Sequence, residues 1–271
     1  MSAPVRTSQI SVWRVGALRE LFTRPLYRTI KSSSESSGEL LFDTPSVHID
    51  GLMSNERNAV FVPPVDFAQN SSGMVLYPNI GVSSTGYSNV ARLYLRKNLP
   101  VIRTIAVGAV STTDVVLSRI VLGEKYDSEP GIVPVIGSVD EMLAKADCAL
   151  VTGDSLLTLN NEHPFIDIVD EWSDITELPF VHTVCISRSD MFDTGISAML
   201  HSSLEAGKNS LDSIANELAA ETALSADLLQ NYFSHFSYGF DELSKASLEE
   251  FFRMAFYYGM LGDVPEINIG Q

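Results

Sequence analysis

Between Thr104 and Asp154 the chain alternates short apolar runs with helical patterns, and this stretch restricts the fold more than any other. A strand over Ile105 to Gly108 leads through Ala109-Val110 into "STTDVVLSRIVLGEKY", where Val115, Val116, Ile120 and Leu122 recur at helical spacing. Ser111, Thr112 and Thr113 stand where that helix starts, residue types whose side-chain oxygens cap the free amides of a first turn. "GIVPVIG", "VDEMLAKAD" and "CALVTGD" then read as strand, short helix and strand. This order predicts a parallel sheet with helices on its faces.

The flanking segments are of other kinds. "ISVWRVGAL" reads as a strand, followed by "RELFTRPLYRTIK" as loop and helix with Pro25 near its start. "LLFDTPSVHIDGL" reads as strand then turn. "NAVFVPPVDFAQN" reads as a buried strand that stops at Pro63-Pro64, because proline cannot donate to a sheet ladder. "VLYPNIGVSS" and "NVARLYLRK" are strand-like. After "HTVCIS" the pattern turns helical, in "SLDSIANELAA", "SADLLQNYFSHF" and "SLEEFFRMAFYYGML". Ser247 and Glu250 have capping-box spacing, and Leu248, Phe251, Phe252, Ala255 and Phe256 form an aromatic stripe that reads as core.

A chain of 271 residues, 45% apolar, can bury a sizeable core as one large domain or two small ones. Its formal charge of −16 argues against a nucleic-acid or anionic-membrane surface. Any anionic ligand must be met by local donors working against that global field. Cys148 and Cys185 sit inside apolar runs and suit buried thiols of a reducing compartment. His48, His163, His201 and His235 show no metal spacing, and no metal is expected. No run approaches the roughly 18 apolar residues of a membrane span, and the N-terminus has no run of signal-peptide length, so a cytoplasmic location is expected. "KSSSESSGE", Lys31 to Glu39, reads as a solvated loop.

"ADCALVTGDSLLTL", followed by "IDIVDEWSDITELPFVHTVCISR", resembles the family pattern "AD-x-A-L-hydrophobic-x-G-D-x-A-L" and then "DLG-x-EW…TGLPFVFAVWA-x-R". Further pieces arrive in the same order. "RVGAL…TRPL" resembles "R-x-G…N-x-RPL", "NAVFVPPVDFAQN" resembles "DVALVPSIEYA", and "VGAVSTTDVVLSRIVLGEKY" resembles "D-x-SSRTSVALLRVLL…Y". Together they span Val15 to Arg188. The family is the menaquinone-pathway family that includes chorismate dehydratase. The resemblance implies a two-lobe, periplasmic-binding-protein-like (type II) α/β fold with two crossing strands and C-terminal helices. One lobe would comprise residues 1–95 plus 185–271, the other residues 96–184, with the ligand in the cleft between them. It implies dehydration of chorismate to 3-[(1-carboxyvinyl)oxy]benzoate on the futalosine route to menaquinone, without a metal or redox cofactor because aromatisation drives the reaction. The implied partner is a small anionic or aromatic carboxylate, and a homodimer is left open. The alternative is a non-catalytic cytoplasmic protein that binds a small carboxylate on the same fold.

Several positions depart from the family pattern. The Asn of "N-x-RPL" is Phe22 here, and a phenyl ring makes no amide hydrogen bonds. The Arg of "SSRTS" is Thr112, while Ser111 and Thr113 are kept and Asp114 adds a negative charge. The crossing-strand serine has no clear counterpart, and Ser88 and Asn89 are the nearest polar candidates. "FVFAVWA" becomes "FVHTVCI", which introduces His182 and Cys185. Ser111, Thr112 and Thr113 are candidate ligand contacts at a helix N-terminus, a role compatible with plain capping. Asp154, at the end of a buried strand, either holds a ligand or ties its turn to nearby amides, shaping the cleft rim with Gly153. His182 is a general acid or base, or a satisfied core histidine. Thr23 and Arg24 lie in the loop after the first strand, where binding-protein folds present ligand donors. Arg24 supplies a local positive charge there or pairs with a surface carboxylate.

Overall fold

The computed structural model describes residues 12–30, 38–97, 99, 101–159 and 162–271. Most of the expected loop at Lys31 to Glu39 lies outside these residues. The chain begins with β1 (Trp13–Ala17), a 3-10 turn at Leu21–Tyr27, β2 (Gly38–Phe42), α1 (Pro45–Met53), β3 (Ala59–Val62), α2 (Pro64–Gln69) and β4 (Met74–Ser84). It crosses to β5 (Ala91–Leu95), β6 (Thr104–Val107), α3 (Thr112–Tyr126), β7 (Gly131–Pro134), α4 (Val139–Leu143), β8 (Cys148–Thr152), β9 (Phe165–Asp167) and α5 (Ile168–Thr176). It returns through β10 (Phe180–Arg188) to α6 (Thr194–Lys208), α7 (Leu211–Glu221), α8 (Ala226–Phe233), β11 (Phe236–Tyr238) and α9 (Glu242–Tyr257).

The strands form two sheets, one of six in the order β11-β4-β10-β3-β1-β2 and one of five in the order β7-β6-β8-β5-β9. This is the expected two-lobe α/β fold. The sheets change over at residues 85–90 and 177–179, a few residues before the lobe boundaries expected at 95 and 185. The strand–helix–strand–helix–strand run gives β6, α3, β7, α4 and β8, with β6 parallel to both β7 and β8. The second sheet is not wholly parallel, since β5 runs antiparallel to β8 and β9.

Three local readings are corrected. The segment taken as a turn after β2 is α1, started by Pro45, whose fixed φ suits a first helical position and whose missing N–H is no loss there. The two prolines that end β3 do not simply break the chain. Pro63 takes the extended N-cap geometry and Pro64 opens α2. The last helix starts earlier than Ser247: Asp241 caps α9 by accepting from the Ser244 amide at 2.8 Å, so Ser247 falls inside the helix and donates to the Pro179 carbonyl. Of the aromatic stripe, Phe251 and Phe252 are buried, whereas Phe256 is 48% exposed.

Apolar burial ties these layers together. One core joins Val60, Val62 and Phe67 of the first lobe to Val116 and Leu117 of α3, Trp172 of α5 and Phe251 and Phe252 of α9. The opposite face of the first sheet packs Phe61, Tyr77 and Cys185 under α6, α7 and α8. The far face of the second sheet closes over Ala106 and Ala149 with Met142 and Leu143 of α4. Cys148 and Cys185 are buried free thiols. No helix among the described residues is long and apolar enough to cross a membrane.

Helix α6 approaches the 3-10 turn so closely that a Cβ at Gly207 would run into the Pro25 carbonyl, whereas one at Gly262 would meet nothing within 4 Å. Gly207→Ala is expected to destabilise the protein by about 1–3 kcal/mol in urea unfolding. Gly262→Ala is expected to change it by less than about 0.5 kcal/mol.

Candidate functional site

The strand ends that face the changeover enclose a cavity of about 220 Å³. Leu18, Glu20 and Phe22 follow β1, and Pro63 follows β3. Ala109, Val110, Ser111, Thr113 and Asp114 form the β6–α3 junction. Thr152 and Gly153 end β8, while Val90, Phe180 and His182 come from the two crossings. The lining thus draws on both lobes, and no short segment contains it.

Ser111 is the N-cap of α3, its hydroxyl accepting from the Thr113 amide at 3.1 Å. The Thr113 and Asp114 amides of this first turn are satisfied by the Ser111 side chain and carbonyl, so the 15-residue helix presents its positive end and the Ser111 hydroxyl beside the cavity. Thr113 is buried, and its Oγ1 accepts from the Val65 amide at 3.0 Å, a bond between the two lobes. Thr112 points outward and is exposed, so the position where the family pattern has Arg does not reach the cavity lining.

Asp154 forms a second bond between lobes. Both of its carboxylate oxygens accept from the Leu21 amide, each at 3.1 Å. Its neighbour Gly153 lines the cavity while Asp154 itself does not. Burial pushes its carboxyl up to about 6, against the lowering influence of the Leu21 amide.

Four expected contacts are placed elsewhere. Thr23 is fully buried and donates to the Leu18 and Glu20 carbonyls, which shapes the turn instead of facing a ligand. Arg24 lies over the Phe42 ring, 5.5 Å from its centre, in a separate depression with Tyr27, Arg28 and Glu217. The 3-10 turn sends Phe22 toward the cavity and Arg24 away from it. Ser88 donates its hydroxyl to Asp167, and Asn89, at φ 61°, donates its amide to the same carboxylate at 2.8 Å. These two hold the first crossing in place and are absent from the lining.

His182 does line the cavity, buried between Phe22, Phe180 and Phe236 at ring separations of 5.2, 5.3 and 5.6 Å. Burial pushes its imidazole down to about 3, so the ring is neutral at ordinary pH. The lining carries two carboxylates, Glu20 and Asp114, and no Lys or Arg. Burial drives the Asp114 carboxyl up to about 7, with Glu20 raising it further and a Thr152 hydrogen bond opposing. Asp114 therefore exchanges its proton near neutrality on the cavity wall. Leu18, Glu20, Val90 and Phe180 are lining residues that nothing in the sequence singles out. Among the described residues no three His, Cys, Asp or Glu side chains are grouped to hold a metal ion.

Comparison with known proteins bears on what this cavity is for. Residues 13–257 match the family described as menaquinone biosynthesis. A structural-genomics protein from Archaeoglobus fulgidus superposes with a TM-score of 0.67 at 14% identity, covering 92% of this chain and 98% of that one. The periplasmic aliphatic sulphonate binding protein SsuA of Escherichia coli gives 0.65 at 14% identity, covering 96% and 92%. A Candida albicans protein described as having the generic periplasmic binding protein fold gives 0.60 at 12% identity, covering 93% and 91%. Likenesses at this identity establish the fold alone.

The raised Asp114 pKa makes a stability prediction whose sign is fixed. A carboxyl that ionises less readily when folded contributes stability in full below its unfolded pKa, and that contribution is lost as pH rises through about 7. Asp114→Asn is expected to raise Tm by a few degrees at pH 8, with the gain over the unmodified protein vanishing by pH 4 in thermal melts.

Proposed function

The chain belongs to the menaquinone biosynthesis family, and from that membership we propose that its cavity binds a small carboxylic acid of the pathway in the cytoplasm and removes water from it, as chorismate dehydratase does from chorismate. The observation that carries this reading is Asp114, a carboxyl titrating near 7 beside a helix N-terminus and an aromatic wall. Losing water from a cyclohexadiene ring requires a proton donor for the departing hydroxyl and an acceptor for the ring proton. Protonated Asp114 gives its proton to the hydroxyl as the C–O bond breaks. The carboxylate so formed takes the ring proton as the C–H bond breaks. Water and an aromatic ring result, and Asp114 returns to its starting state.

Binding follows from the same parts. A ligand carboxylate is met by the Ser111 hydroxyl at the positive end of α3, since no lining side chain is cationic. Phe22 and Phe180 supply flat apolar walls for a ring. The volume of about 220 Å³ lies below the roughly 300–1,000 Å³ of pockets for drug-sized ligands and suits a small metabolite.

A second reading is binding without turnover. The lining holds two carboxylates and no cation, and a phenyl ring stands at position 22 where the family pattern has an amide, which together favour a less anionic ligand. Incubating the protein with chorismate and following the mixture by mass spectrometry separates the two. Dehydration gives an enzyme-dependent product lighter by one water. On that reading Asp114→Asn lowers kcat by about 100-fold or more, and the rate of the unmodified protein falls as pH rises above about 7. Folded protein that leaves chorismate unchanged would sink the dehydratase reading in favour of binding.

A further inference from the structure

Two departures from the family pattern meet in space. Phe22 stands where the pattern has Asn, His182 stands where it has Phe, and their rings lie 5.2 Å apart on the cavity wall. Within one contact a polar side chain has been lost and another gained.

The hydrogen bonding of His182 fixes which nitrogen is free. Its Nε2 lies 2.7 Å from the Ser84 hydroxyl, and among the described residues this is the only hydrogen bond that either side chain makes. Ser84 is 1% exposed, so water does not serve its hydroxyl from outside. The hydroxyl proton has one acceptor available, the Nε2 lone pair. Turning the bond round would leave that proton unsatisfied in a buried site, at a cost of about 1–3 kcal/mol. Ser84 therefore donates, Nε2 accepts, and the neutral ring carries its own proton on Nδ1. Nδ1–H has no acceptor in the described protein but keeps accessible surface on the cavity, where water can serve it, unlike the Ser84 hydroxyl.

We propose that His182, held in the Nδ1–H tautomer by Ser84 as its positioning residue, is the neutral hydrogen-bond donor of the cavity and takes a hydroxyl or ether oxygen of a ring-bearing ligand. This assignment rests on the reading of the cavity as the ligand site. The oxygen it takes is uncharged. A charged oxygen would add to Glu20 and Asp114 in a cavity whose lining holds no cation to offset them. The aromatic packing of His182 against Phe22, Phe180 and Phe236 keeps the ring from charging and so from attracting a carboxylate instead.

Long-range proton–nitrogen NMR of histidine-labelled protein reads the tautomer directly. The ligand-free protein is expected to show His182 neutral with its proton on Nδ1 from pH 5 to 8. Ser84→Thr is expected to keep that state and Ser84→Ala to shift it toward Nε2–H. A proton on Nε2 in the unmodified protein, a titration between pH 5 and 8, or a tautomer indifferent to Ser84→Ala overturns the assignment. Chorismate is the probe for the ligand side. It is expected to move the Nδ1 resonance, and His182→Phe, which retains the ring packing but strands the Ser84 hydroxyl, is expected to weaken its binding about tenfold while Tm falls by only a few degrees. Chorismate that binds without moving Nδ1, or binds His182→Phe as tightly, overturns the donor role. Chorismate that fails to bind at all, with the tautomer as expected, counts against chorismate as substrate and leaves the tautomer assignment supported.

Discussion

Asp167 accepts backbone hydrogen bonds from Ser88, Asn89, Val169 and Asp170, so one buried carboxylate both starts α5 and anchors the segment that carries the chain from the first sheet to the second. The buried amides of Ser88 and Val169 would otherwise be donors without a partner away from water. Asn89 is bent into the left-handed region, and Val90 follows directly on the cavity wall. The second crossing is anchored differently, by Ser247 and Trp172 donating to the Pro179 carbonyl just before Phe180. With both crossings fixed, the β6–α3 junction and the turn after β1 face each other, and the bonds from Val65 to Thr113 and from Leu21 to Asp154 close the remaining gap.

The electrostatics of the cavity continue those of the whole chain. A protein carrying −16 offers an anion little attraction at long range, and this cavity adds Glu20 and Asp114 at short range. What favours an anion here is dipolar: the positive end of α3 and neutral donors such as the Ser111 hydroxyl. Such groups need no counter-ion of their own. Arg19 and Arg24, which flank Glu20 and Phe22 in sequence, both lie over Phe42, and Arg24 acts on Asp154 through its field.

The parts of this structure that sequence could disclose are those decided within a few residues. Ser111 caps α3 through an amide two positions away, and the apolar spacing that follows it is local, so that element could be read directly. The stop at Pro63-Pro64 was legible for the same reason, although the helix that Pro64 opens was not. Ser247 shows the limit of such reasoning. Its spacing to Glu250 fits a cap, but Asp241 provides a better one six residues earlier, and only tertiary packing decides between them. Function was harder to see because it depends on distant pairs. Ser84 and His182 are 98 residues apart, and Asp154 and Leu21 are 133 apart. Nothing near Asp114 in the sequence discloses that Glu20 lies close enough to shift it. The family resemblance located the fold and the β6–α3 junction, while the side chains at 22, 112 and 182 had to be placed before their departures from the pattern acquired meaning.

Helix α9 lies against β10 of the first sheet and α3 of the second lobe, and Leu248, Phe251 and Phe252 share one apolar core with Val116 and Leu117. Such a strut makes the two halves mechanically unequal around their circumference. Parting them on the α9 side would expose that core to water at about 25 cal/mol for each Å² of apolar surface. At the β1–β8 edge the lobes are joined by the part-buried contact of Asp154 with the Leu21 amide, which water can replace. Separating the lobes therefore costs least at that edge and most along α9, like a clasp with its pin on one side.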